Sequence, residues 1–169
     1  METESLKSVE DALSWIAKLL PHGTPKAIFR GQSQQCPLLP TLFRYKLIDA
    51  VNRLGGFKNL ETRTLDLFMS RAYPFLSVVV LQTELDWMVL AQHHGCPTRL
   101  LDWTGNPLVG LFFASENHDD ADGVLWSTTG FEWFRNDTQN EVLNSFPEKA
   151  FVYTPKHITA RITAQADGS

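Results

Sequence analysis

The stretch Gln92-His93-His94-Gly95-Cys96-Pro97-Thr98-Arg99-Leu100-Leu101-Asp102-Trp103-Thr104 lies between two apolar segments, and its glycine and proline restrict the fold more than any other part of the chain. A helix over Thr83 to His94, with Leu85, Met88, Val89 and Gln92 along one side, has to stop there. Gly95 suits the C′ position after it, and Pro97 forbids its continuation. Thr98 to Trp103 is then expected to run extended. Thr104-Gly105-Asn106-Pro107 starts a new helix, with Asn106 as N-cap and Pro107 at the first helical position. That helix, over about 107–117, is apolar almost all round and is expected to be buried. A second polar cluster stands upstream at Phe29-Arg30-Gly31-Gln32. The two clusters are expected to meet in space and form one polar cleft.

The rest of the chain supplies the frame. Residues 5–20 read as an amphipathic helix, capped by Ser5, with Leu6, Val9, Leu13, Ile16, Ala17 and Leu20 on one face and Pro21 and Gly23 at its end. Lys26 to Gly31 has a strand pattern closing on a glycine that either turns the chain or lets backbone come close to a ligand. Ser33 to Pro40 is a polar loop, and Thr41 to Arg44 restarts regular structure. A helix end and a Gly-Gly turn follow over Val51 to Gly56. Residues 59–72 read as a helix with Leu60, Leu65, Leu67 and Phe68 apolar and Glu61, Arg63, Asp66 and Arg71 polar, interrupted at Pro74. Asp119 to Gly123 is a turn, and Val124-Leu125-Trp126 and Ala150-Phe151-Val152-Tyr153 read as strands. Helices come first and strands later. This order predicts an α+β fold, a helical N-terminal half packed on a small mixed or antiparallel sheet. The expected organisation is one domain over 1–169, with an N-terminal helix in 1–22 and a core over 26–165. The strand-like tail Arg161 to Gln165 stops abruptly before Asp167-Gly168-Ser169, and whether the chain continues stays open.

At 169 residues the chain is long enough for a real core, to which five tryptophans and eleven phenylalanines contribute. A formal net charge of −4 argues against a broad nucleic-acid-binding face, although it permits a local basic cleft. Cys36 and Cys96 make no disulfide framework and have no zinc-finger spacing. No stretch approaches a membrane span, and the acidic start Met1-Glu2-Thr3-Glu4 lacks the order of a signal peptide. A cytoplasmic protein without membrane contact is expected.

Several side chains are candidates for chemistry. Arg30 follows an apolar strand and precedes a glycine, and an arginine fork binds two oxygens of a phosphate or pyrophosphate at once. Gln32, Ser33 and Thr104 can add neutral hydrogen bonds, and Trp103 offers either a stacking face or a core ring. Adjacent histidines on a helix point about 100° apart and rarely share one ion, so no metal is expected at His93 and His94. Arg99 and Asp102, three apart in an extended segment, face opposite ways. Each is expected to reach elsewhere, either as a structural ion pair or toward the cleft. The phosphate loops GxGxxG and GxxxxGKS and the deaminase pattern are absent. An acid–base pair of His94 with Asp102 or Glu84 remains open.

Phe29-Arg30-Gly31, Leu39-Pro40-Thr41-Leu42-Phe43-Arg44, Ala91 to Thr104, Asn106-Pro107-Leu108 and Phe112-Phe113-Ala114 together resemble the FRG domain family, named for a Phe/Tyr-Arg-Gly motif, and Pro155 to Gln165 resembles the family's late Arg-Ile…Gln segment. A weaker resemblance is to arginine-type ADP-ribosyltransferases, in which a strand ending in aromatic-Arg-Gly holds NAD. It implies an ADP-ribosyltransferase-like fold and an effector of a bacterial or phage toxin or defence system. It also implies NAD as cofactor and an acceptor that is a protein or nucleic acid. Arg30, Gly31, Gln32, Arg99, Trp103 and Thr104 would bind the nucleotide, and His94, Asp102 and Gln165 would serve catalysis. The chain departs from that pattern in lacking a Ser-Thr-Ser triplet and a clear late-strand glutamate. The alternatives are a non-catalytic nucleotide- or protein-binding module and a metal-dependent hydrolase or nuclease.

Overall fold

The computed structural model describes residues 3–20, 27–44, 48–75, 83–116, 120–134 and 150–155, without the Phe75 side chain. The expected helix stop at Pro21 and Gly23, the tail from Arg161 and the candidate Gln165 lie outside these residues. The chain divides into two compact units. One is drawn from Met1–Gln35 and Trp103–Tyr153, the other from Cys36–Asp102 together with Thr154 and Pro155. The architecture is α+β: five helices and four short strands among the described residues.

The first unit begins with helix α1, Val9–Leu19. Its cap is Ser8, not Ser5, because Ser8 Oγ accepts from the Asp11 amide and the Asp11 carboxylate in turn accepts from the Lys7 amide. Its buried face runs through Ala12, whereas Val9, Leu13 and Leu20 are exposed. Apolar spacing identified the helix but not the side it buries. Strand β1, Ile28–Gln32, pairs antiparallel with β2, Val124–Thr128, in the register Ile28↔Thr128, Arg30↔Trp126 and Gln32↔Val124. Two further short strands, β3 (Glu132–Trp133) and β4 (Phe151–Val152), pair in parallel. Sequence periodicity anticipated β4 and not β3.

Helix α5, Pro107–Ser115, starts where its sequence says, with Asn106 Oδ1 accepting from the Leu108 amide at 2.9 Å and Pro107 in the first turn. It lies directly on β1 and β2. A Cβ at Gly31 would stand 2.0 Å from the Gly110 carbonyl oxygen, one at Gly123 1.9 Å from that of Ala114, and one at Gly110 2.7 Å from Leu125 Cδ1. Three glycines thus bring a helix backbone against a strand pair. The expectation that α5 is buried all round is corrected: only Gly110 is buried, and Leu108 and Phe112 are 55% and 58% exposed. The face that meets the strands is the narrow one of Gly110 and Ala114, one helical turn apart, so the large side chains point elsewhere.

The second unit holds helices α2 (Ile48–Leu54), α3 (Phe57–Ala72) and α4 (Glu84–His93), with single 3-10 turns at Thr41–Phe43 and Tyr73–Phe75. Gly55, at φ +76°, closes α2 in a Schellman cap: the Gly56 amide donates to Val51 O at 2.9 Å. Asn59 Nδ2 donates to Leu54 O, so the α2–α3 corner satisfies another free carbonyl. The α4 start is a full capping box, in which Thr83 and Asp86 exchange side chain-to-amide bonds of 3.1 Å. This exchange lets Asp86 be buried. Burial on α4 is broader than the expected stripe, covering Leu85, Asp86, Trp87, Met88, Leu90 and Ala91. The unit's core gathers Leu42, Leu60, Leu65, Leu85, Met88 and Ala91.

Candidate functional site

The Phe29-Arg30-Gly31 motif divides its three residues between two faces of β1. Side chains alternate along a strand, and directly opposed residues of an antiparallel pair share a face. The Cβ direction of Gly31 meets the α5 backbone, and Phe29 Cβ approaches Gly110. Phe29, Gly31 and Leu125 therefore face α5, and Phe29 is fully buried there. Arg30 and Gln32 project from the opposite face, which they share with Trp126 and Val124 across the ladder. Gln32 Oε1 accepts from the indole Nε1–H of Trp126 at 2.5 Å. An arginine, an amide and an indole thus stand together on one half-buried surface.

The other edge of β1 receives the end of the long motif. Phe29 and Thr104 exchange two backbone hydrogen bonds of 2.8 Å, forming an isolated antiparallel bridge. The far end of the long motif therefore meets the upstream cluster, as the sequence predicts. No ladder forms over Thr98 to Trp103, however, because a single residue pair carries all of this pairing. Thr104, opposed to Phe29, lies on the α5 side of β1. Its Oγ1 accepts from the Asn106 amide at 3.1 Å and shapes the turn into α5. Trp103, one residue before the bridge, is half-buried. Of the nucleotide-binding candidates in this unit, Gly31 and Thr104 serve packing and turn geometry, and Gln32 holds the Trp126 indole.

The second unit carries His94, Arg99 and Asp102. The sequence Gln92 to Pro97 is a Schellman cap: Gly95 has φ +83°, its amide donates to Gln92 O, and the Cys96 amide donates to Ala91 O, both at 2.9 Å. Placed at the helix end, His94 is exposed, with its ring 5.8 Å from Phe68 and 5.4 Å from His93. Arg99 and Asp102 do reach in different directions. The Glu61 carboxylate accepts from the Arg99 amide at 2.8 Å and from Nε at 2.6 Å, and also pairs with a terminal guanidinium nitrogen. Arg99 is thus held in a structural ion pair. Asp102 is exposed and accepts from Gln92 Nε2 at 2.7 Å; Gln92 Oε1 accepts in turn from the Thr98 hydroxyl, which itself accepts from the Leu100 amide. The three side chains form a relay that sets the Asp102 carboxylate.

A crevice below this relay, lined by Glu61, Leu65, Met88, Cys96 and Thr98, has no room for a water molecule. Burial raises the Cys96 thiol above its ordinary pKa, which disfavours the thiolate and a nucleophilic role. Among the described residues no group of three or more His, Cys, Asp or Glu is placed to hold a metal ion.

Sequence reasoning missed Glu61 and Trp126. Glu61 was grouped with the polar face of its helix, but it is only 2% exposed. The available signal was its position four residues before Leu65, on the core side of α3. For Trp126 no signal existed without the strand register that sets it opposite Arg30.

Comparison with curated proteins and with solved structures returns no match. The family model of the FRG domain matches residues 25–123, more than half of the chain, and takes in both the Phe29-Arg30-Gly31 strand and the whole of Gln92 to Thr104. The chain belongs to the FRG domain family.

Proposed function

We propose that this FRG domain binds NAD on the face of β1 that carries Arg30, as an ADP-ribosyltransferase-like effector of a toxin or defence system. One observation carries the proposal: Gly31 is turned into α5, so that Arg30, Gln32 and Trp126 share the opposite face. A guanidinium there suits a pyrophosphate, because its planar fork offers two parallel N–H donors to two oxygens. Gln32 adds an amide on the same face, and Trp103 is proposed as a further contact to the nucleotide. Asp102 and His94, both exposed in the second unit, are the acid–base candidates, and the acceptor is a protein or nucleic acid. Catalysis of this type depends mainly on positioning and on stabilising a developing cation.

A second reading, binding without turnover, is favoured by the composition of the same face. Its ladder positions, Ile28, Arg30, Gln32, Val124, Trp126 and Thr128, include no carboxylate to stabilise an oxocarbenium ion.

Thermal unfolding in the presence of NAD, ADP-ribose, zinc or manganese tests the NAD binding that both readings require. Stabilisation by NAD that Arg30→Ala removes is the expected result. Saturating ligand at about 100 times its Kd adds about 2.7 kcal/mol to the unfolding free energy. No shift with millimolar NAD, or a shift with metal alone, would contradict NAD binding. Release of nicotinamide then distinguishes the transferase from the binding module, and its loss in Asp102→Asn would assign the carboxylate.

A further inference from the structure

We propose that Trp126 is the stacking platform for an aromatic base of the bound dinucleotide, with Gln32 as the positioning residue that sets its ring. The proposal rests on the NAD reading above and adds to it a residue that the Phe-Arg-Gly motif does not contain.

Trp126 is directly opposite Arg30 in the β1–β2 register, so the two side chains leave the ladder as neighbours on one face. The Gln32 amide oxygen, two residues further along β1, accepts from the indole Nε1–H at 2.5 Å. An indole has a single polar atom, and here that atom is satisfied from the ring edge. The bond fixes the ring's rotation and engages neither π-face. Trp126 is half-buried, unlike Phe29 on the other side of β1, which is fully buried under α5. The face therefore combines a cation suited to a pyrophosphate with an oriented aromatic surface about one cross-strand spacing away. Pyrophosphate and a purine or pyridine ring are joined through one ribose in a dinucleotide, so a ligand of this class can use both. A free phosphate or pyrophosphate can use only the arginine.

The ligands to compare are NAD and inorganic pyrophosphate, with affinities measured for wild type, Trp126→Leu and Trp126→Phe, each first shown to unfold cooperatively. Stacking on an aromatic side chain is typically worth about 1–3 kcal/mol per base, so Trp126→Leu should weaken NAD binding about 5- to 150-fold. Trp126→Phe, which keeps a ring, should lose about fivefold or less. Pyrophosphate affinity should stay within about twofold in both variants. If Trp126→Leu binds NAD as wild type does, or loses NAD and pyrophosphate to the same extent, the platform is overturned and the NAD reading stands. Wild-type protein that binds pyrophosphate but not NAD overturns the platform and the NAD reading together. Wild-type protein that binds neither overturns the arginine site as well.

Discussion

At the scale of single residues, glycine accounts for more of this structure than any charged side chain. Gly31 has space neither for a methyl group nor for movement, because its neighbours are the backbone atoms Gly110 O and Ala114 N, at 2.0 and 2.5 Å from a built Cβ. Gly110 is different: the nearest atom to its Cβ position is the end of the Leu125 side chain, which can rotate away. Gly31→Ala should therefore destabilise the protein by about 2–3 kcal/mol or more in urea unfolding, as overpacking does. Gly110→Ala should cost clearly less, since alanine regains about 1 kcal/mol of helix propensity. Equal losses would mean that α5 does not rest on β1 as described. Glu61 is the other decisive residue. Removing it takes the Glu61 carboxylate away from the Arg99 guanidinium, which is only 13% exposed. Glu61→Ala should cost about 3–5 kcal/mol, and a loss below about 1 kcal/mol would show the pair to be solvated. Neither residue advertises its role in the sequence. Gly31 reads as a turn or ligand contact until α5 is seen against it, and the partner of Glu61 lies 38 residues away.

At the scale of elements, several helix ends were legible, the α1 cap expected at Ser5 not among them, and helix faces were not. Asn106-Pro107, Gly95-Cys96-Pro97 and Thr83 carry local chemistry, a cap bond or a left-handed turn, that needs no tertiary partner. The structure places Asn106-Pro107 and Gly95 as the sequence predicts, and makes Thr83, expected as the first helical residue, the N-cap of α4. Burial is a relation between elements, and periodicity within one element does not specify it. Hence α1 buries Ala12 and not Val9 or Leu13, and α5 turns its two small residues inward and leaves Phe112 outside. The capping box of α4 offers an element-level test. Thr83→Ala removes the acceptor for the Asp86 amide and one half of a reciprocal pair, at a cost of about 1–2 kcal/mol. Since Asp86 is buried, Asp86→Ala should cost at least as much; a smaller loss there would mean that the box is not formed.

At the scale of the whole molecule, the long central motif serves two units. Residues Gln92 to Asp102 build a helix cap, an ion pair and the Thr98–Gln92–Asp102 relay in one, and Thr104 bridges to β1 in the other. Its density of polar residues is thus largely structural. No described helix is long and apolar enough to cross a membrane. The account's central claim is the location of the nucleotide site, and amide NMR of the 15N-labelled protein titrated with NAD tests it most directly. The expected perturbations fall on the amides of Ile28 to Gln32 and Val124 to Thr128 and on the indole N–H of Trp126, and Arg30→Ala abolishes them. Perturbations centred on the exposed side of α5, or none at millimolar NAD, would contradict it.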